Sequence, residues 1–204
     1  VLYDALVEDF EPGTTSAQIA AIFTPLRERL RAFIGATQAS STKPTEPLRH
    51  VRLPVDKQIV YHTTSAVALG FDAKAGPLDT TTHPFSEPIA PGDTRLTTRY
   101  KGDRWTDALY GTMHEGGHGI YEQGLPKLAN GKRPAMFGTP LAEAISLGIH
   151  ESQSRMWENL VGRSKSFCKW ALPQLQKDYG KAFKKYTVKD LYAAVNTSTP
   201  SLIR

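Results

Sequence analysis

The stretch Thr112 to Tyr121, TMHEGGHGIY, sets two adjacent glycines between two histidines in a segment whose flanks read as helix. A helical glycine costs about 1 kcal/mol relative to alanine. A chain that keeps both Gly116 and Gly117 there has a packing or functional use for the space they leave. Side chains four positions apart lie one above the other on a helix, so His114 and His118 direct their imidazoles at one point, the geometry of two metal ligands. Glu115, one position on, is offset around the helix, where its carboxylate reaches a water on the same metal without entering the coordination sphere. In the His-Glu-x-x-His pattern of zinc peptidases a glutamate so placed is the general base.

Such a string also arises by chance on a solvated helix face. Here Leu109, Tyr110, Met113, Ile120 and Tyr121 surround it, which predicts a buried helix whose glutamate and histidines need partners. A catalytic zinc takes three protein ligands and leaves a fourth position open. The candidate third ligand is Glu151 in GIHESQSR, set among Ile145, Leu147, Ile149 and Trp157. Its neighbours His150 and Gln153 either hold the ligands in place or serve as polar packing. Two readings stand for the glycines. Another backbone, of the protein or of a substrate, passes close beside the metal, or the two helices pack closely.

The remaining texture predicts a mainly α fold. Thr15 or Ser16 caps a helix with Ile19, Ile22, Phe23, Leu26, Leu30 and Phe33 at helical spacing, stopped by Gly35. A Ser, Thr and Pro-rich loop follows, then a helix from Asp56 to Gly70. Prolines at 77, 84, 88 and 91 exclude helix from residues 71 to 101, and the Thr-rich TRLTTRY predicts a small strand pair or meander there. Further helices are predicted from Trp105 to Gln123, capped by Thr106, and from Thr139, with Pro140 at its first position, to Gly162. Two more run from Ser164 to about Tyr179, with Pro173 inside, and from the capping box Thr187 to Asp190.

With 204 residues and 40% hydrophobic content the chain is long enough to bury a core. Its net charge of +5 comes from scattered runs such as Arg27–Arg31, Gly131–Arg133 and Lys181–Lys185, without aromatic interleaving. No nucleic-acid partner is expected, only a mild preference for anionic ligands. There is no transmembrane stretch and no signal core. The single Cys168, in apolar KSFCKWAL, reads as a buried structural thiol and fits a reducing compartment.

Five strings occur in order: HPF at His83 to Phe85, DTRLT at Asp93 to Thr97, HEGGH at His114 to His118, HESQSR at His150 to Arg155, and IR at Ile203 and Arg204. Together with ALYGTMHEGGHGIYEQGL and SLGIHESQSRMWENLVGRS they resemble the carboxypeptidase Taq family of thermostable metallocarboxypeptidases over nearly the whole chain. The resemblance implies a mostly helical, cytoplasmic, homodimeric protease with a long groove. It would remove single residues from peptides with a free C-terminus, with broad specificity and with zinc or cobalt, one per chain. By motif position His114, His118 and Glu151 match the metal ligands and Glu115 the general base. His83 and Arg95 fall in motifs near the groove, and Arg204 matches an arginine associated with the substrate's terminal carboxylate. A guanidinium grips a carboxylate bidentately; the alternative for Arg95 and Arg204 is a structural ion pair, the commoner case for a lone arginine.

Family members are more than twice this long, and the chain begins at Val1 and stops at Arg204. The expectation is therefore a single helical catalytic core over 1–204, from which an N-terminal helical part and the C-terminal third are missing. Three functions follow as alternatives: a metallocarboxypeptidase, a metal-binding helical fragment with impaired catalysis, or an endopeptidase or aminopeptidase with the same metal chemistry.

Overall fold

The apolar positions of helix α4, Trp105–Gly124, point in two directions, and the interior is organised around it. The structure, a computed structural model, describes residues 1–127, 132 and 135–198. Among these, seven α-helices and a three-stranded sheet are found, in agreement with a mainly α chain carrying a small β region. No helix among them is long and apolar enough to cross a membrane.

The chain divides into two compact units, Val1–Pro44 with Ser146–Ile149, and Thr45–Ile145 with His150 onwards. The first holds α1, Leu2–Glu8, and α2, Ser16–Ala39. Thr15 caps α2 reciprocally with Gln18: the Gln18 amide donates to Thr15 Oγ1 and the Thr15 amide to Gln18 Oε1. The helix runs on through Gly35, and none of its residues is buried. Leu147 and Gly148 are tied to this unit through their amides, which donate to the Phe10 carbonyl and the Glu11 carboxylate.

In the second unit α3, Val55–Leu69, ends on Gly70, whose φ of 112° is the left-handed conformation that glycine adopts without strain. Strands β1, Leu78–Thr80, β2, Ser86–Ala90, and β3, Asp93–Thr98, form a sheet in the order β1-β3-β2, with β1 parallel and β2 antiparallel to β3. Alternation along β3 buries Thr94, Leu96 and Thr98 and turns Arg95 outward. Leu96 packs with Ala66 and Phe71, and Ile120 of α4 lies against them. The other side of α4, through Trp105, Leu109, Tyr110 and Met113, joins the larger core with α6, Lys165–Tyr179, and α7, Val188–Val195. Cys168 is fully buried there, as an inert structural thiol would be, and burial raises its pKa.

Besides α2, which the sequence stops at Gly35, two helix boundaries depart from expectation. The N-cap position of helix α4 is Arg104, which makes no side-chain cap bond, rather than Thr106, and Asp107 in the first turn is favoured by the helix dipole. The helix expected from Thr139 to Gly162 is broken into a 3₁₀ turn at Pro140–Ala142, helix α5 at Leu147–Arg155, and a π-helical segment at Met156–Val161. Leu141 and Ile145 are 76% and 70% exposed, so the apolar period there packs against nothing that would hold a helix. The restart is capped by Ser146, whose Oγ accepts the Ile149 amide at 3.1 Å.

His62 on α3 is fully buried, stacked on Tyr100 with ring centroids 5.5 Å apart. Burial pushes its pKa down to about 3. An imidazole in the unfolded chain titrates near 6.5, so between these values the unfolded chain binds the extra proton and stability falls as pH drops below 6.5. From this group alone the loss reaches about 2 kcal/mol by pH 5. Denaturant titrations at pH 7 and pH 5 should show a fall that is smaller by about this amount in His62→Phe. Equal falls in parent and variant would assign the pH dependence to other groups.

Candidate metal centre

Helix α4 presents His114 and His118 one turn apart, and helix α5 places Glu151 opposite them. Glu151 Oε2 lies 3.5 Å from His114 Nε2 and 3.3 Å from His118 Nε2, so two ring nitrogens and a carboxylate oxygen converge on one point. Glu115 joins the two histidines in a second grouping whose ligand atoms all lie within 4.8 Å of one another. Two nitrogens and one carboxylate oxygen are the donor set that zinc and related divalent metals take, so these residues could hold such an ion.

What brings α5 so close is Gly117. A Cβ there would lie 2.6 Å from the Gln153 carbonyl oxygen and from Ser154 Cα, both backbone atoms. The same addition at Gly116 meets nothing within 4 Å. Of the two glycines, only Gly117 marks a close helix approach; the structure gives no packing reason for Gly116.

Each ionisable group is poised by its surroundings. Glu115 is 7% exposed, and burial, reinforced by the charges of Glu151 and Glu158 and opposed by His114, lifts its pKa to about 7. Burial, with the neighbouring His150 and His114, pushes His118 down to about 4, which leaves it neutral at ordinary pH, as a metal ligand must be. For His114, burial is outweighed by the Glu158 hydrogen bond and the charges of Glu115 and Glu151, and its pKa rises. Glu151 is held low against burial by hydrogen bonds from Arg155 Nε at 2.7 Å and Ser154 Oγ at 3.0 Å. The apolar setting that the sequence suggests for Glu151 is not formed: Ile145, Leu147 and Ile149 are exposed, and the Glu151 side chain is 40% exposed.

The other sequence candidates scatter. His150 is in the cluster, with Nδ1 2.5 Å from His118 Nδ1. The Gln153 side chain donates to Ser152 Oγ at 3.5 Å, and its backbone carbonyl faces Gly117 of α4. His83 lines a cleft of about 710 Å³ together with His114, Glu115 and Arg155. Arg95 is on the outer face of β3, paired with Asp93 at 3.3 Å and absent from the cleft lining. Arg204 lies outside the described residues.

The sequence reading missed Glu158, Glu122 and the cleft arginines. Glu158 Oε2 meets His114 Nδ1 at 3.0 Å and Arg155 at 3.0 Å, and its Oε1 lies 3.6 Å from Arg163. It sits in the π-helical segment, whose register no α period predicts. Glu122 was legible, since His114, His118 and Glu122 repeat every four residues along α4. Arg99 and Arg163 line the same cleft, Arg99 donating to the Thr82 carbonyl and having no carboxylate partner among the described residues.

Residues 1–204 match the model of the carboxypeptidase Taq (M32) metallopeptidase family. The chain belongs to that family. It is 41% identical over 203 residues to thermostable carboxypeptidase 1 of Thermus thermophilus, covering 100% of this chain and 38% of that one. Carboxypeptidase 1 of Bacillus subtilis is 38% identical over 202 residues, covering 99% and 39%. The crystal structure of an M32 carboxypeptidase from Deinococcus radiodurans superposes with a TM-score of 0.88 at 36% identity, covering 98% of this chain and 39% of that one. The chain thus spans about two fifths of the length of these carboxypeptidase Taq relatives.

The glycine contrast is testable. Gly117→Ala should destabilise the protein by about 1–3 kcal/mol, the range for overpacking a filled site. Gly116→Ala should be neutral or stabilising by up to about 1 kcal/mol from helix propensity. Denaturant midpoints of both variants check this; equal losses would contradict the distinction.

Proposed function

We propose that the chain carries the catalytic centre of a metal-dependent carboxypeptidase. The observation that carries the reading is the meeting of His114 Nε2, His118 Nε2 and Glu151 Oε2 beside the buried Glu115, in a chain of a metallopeptidase family. His114, His118 and Glu151 would hold one zinc or cobalt ion. When bound, the ion supplies Lewis acidity that polarises water and the scissile carbonyl oxygen.

The chain's own residues account for the proton traffic and for orientation. Glu115, with its pKa near 7, accepts a proton from the attacking water and delivers it to the nitrogen of the leaving residue as the peptide bond breaks. Glu158 accepts from His114 Nδ1 and so turns Nε2 inward. The cleft that Glu115 lines also carries the guanidinium of Arg99, unpaired with any described carboxylate, which suits it to the free carboxylate of a peptide C-terminus. The relatives' names support peptide substrates, and broad side-chain preference, a homodimer and a cytoplasmic location complete the proposal.

Metal content by elemental analysis and release of the C-terminal residue from an N-blocked dipeptide, with zinc or cobalt added, test this together. A dipeptide amidated at its C-terminus should be a poor substrate; equal cleavage of both would favour an endopeptidase. Glu115→Gln should keep its metal and lose at least about 100-fold in turnover, the lower end for removal of a general base. Glu151→Ala should lose metal. The same metal loss in both variants would overturn the roles given to these two glutamates.

A further inference from the structure

The two histidines of the centre are held differently, and the second is held by a residue outside the motif. His114 Nδ1 meets the Glu158 carboxylate directly. His118 Nδ1 meets a second imidazole, His150 Nδ1, at 2.5 Å, and His150 Nε2 meets Glu122 Oε1 at 2.6 Å. The side chains of Glu122, His118 and His150 are 13%, 14% and 18% exposed, so water competes little for these bonds. The Tyr121 and His150 rings pack nearly perpendicular, with centroids 5.1 Å apart, which adds a packing contact to the imidazole.

With Glu122 ionised and His150 neutral, counting donors along this chain leaves one arrangement. An ionised carboxylate only accepts, so the Glu122 contact requires the proton on His150 Nε2. A neutral His150 then has a bare Nδ1, an acceptor. Two facing nitrogens share one proton, and here it must sit on His118 Nδ1. That leaves His118 Nε2 bare at the atom that faces Glu151. Were His150 to donate instead, the His118 proton would move to Nε2, the position a metal must occupy.

We infer that Glu122 is a positioning residue for the metal centre, acting through His150 to fix His118 as its Nδ1–H tautomer and so to present Nε2 to the ion. This deepens the metallopeptidase reading and rests on it. Both ligand histidines are thereby oriented by carboxylates, Glu158 directly and Glu122 through an imidazole. The arrangement is reachable because His118 and Glu122 are one turn apart on α4, and His150 on α5 fills the space between their heads.

The first test needs no variant. Long-range ¹H–¹⁵N spectra of metal-free protein labelled in histidine, taken near pH 8, should show His118 protonated on Nδ1 and His150 on Nε2. Protonation of His118 on Nε2 overturns the inference. The second test is Zn²⁺ affinity by competition with a chromophoric chelator. Glu122→Ala should weaken binding by about 10–100-fold, the usual effect of losing a partner behind a ligand. Glu122→Gln, whose amide oxygen still accepts from His150, should recover most of it. Once His150→Ala has broken the relay, adding Glu122→Ala should cost no further affinity. Parent-like affinity in Glu122→Ala, or additive losses in the double variant, refutes the relay while leaving the metal centre standing. A parent protein that binds no Zn²⁺ refutes the metal centre itself, and the inference with it.

Discussion

The site depends on a backbone contact. Helix α5 can bring Glu151 between His114 and His118 only because residue 117 has no side chain: a Cβ would stand 2.6 Å from the Gln153 carbonyl and Ser154 Cα, well inside van der Waals contact. Backbone atoms cannot swing aside as a flexible side chain can. Any residue larger than glycine at 117 therefore has to separate the α4 backbone from the Gln153–Ser154 backbone, next to which Glu151 and His150 sit in sequence. The helix-propensity cost of Gly117 is the condition for a three-residue cluster drawn from two helices.

Once the helices are that close, the charges have to be balanced. Glu115, Glu151 and Glu158 crowd around two imidazoles in a partly dry setting, where like charges raise one another's pKa. Arg155 answers two of them, bonding Glu151 at 2.7 Å and Glu158 at 3.0 Å, and Arg163 adds a weaker contact to Glu158. Among the described residues Glu115 has no such arginine partner, and of the three its pKa alone rises to about 7. The asymmetry separates two functions for the same side chain type: carboxylates kept ionised to orient or bind, and one kept near neutrality that can exchange a proton.

How much of this was legible in the sequence follows from which interactions are local. Helices α2, α3, α4, α6 and α7 were readable because their caps and apolar periods lie within the segment, as with Thr15, Gly70 and the Thr187–Asp190 box. His114, Glu115 and His118 were readable for the same reason, being one motif on one helix. The break before Leu147 was not, because the apolar spacing of Leu141 and Ile145 mimics a helix face, yet both side chains are largely exposed. For Arg95 the sequence left substrate binding and a structural ion pair both open; strand alternation, which sends Thr94 and Leu96 inward and Arg95 out, together with the Asp93 pair, fits the second. Glu158 was invisible because it depends on the extra residue per turn of the π-helical segment. The fold class needs only patterning, whereas partners behind the motif need the actual register of a second helix.

That register is itself fixed from both sides of α4. With about 3.6 residues per turn the helix divides its surface into stripes. His114, His118 and Glu122 meet α5 and the segment after it, while Gly111 and Glu115 line the cleft with His83 and Arg99. Leu109 and Met113 enter the helical core, and Gly119 and Ile120 lie against the sheet cluster. A rotation of α4 by one position would bury a histidine or expose Met113, so two apolar clusters and the Gln123 amide, bonded both ways to the Asp72 backbone, hold its angle. The precision of the imidazole geometry is thus borrowed from packing that never touches the site. Motif residues alone, placed on a helix free to turn, would not converge with Glu151.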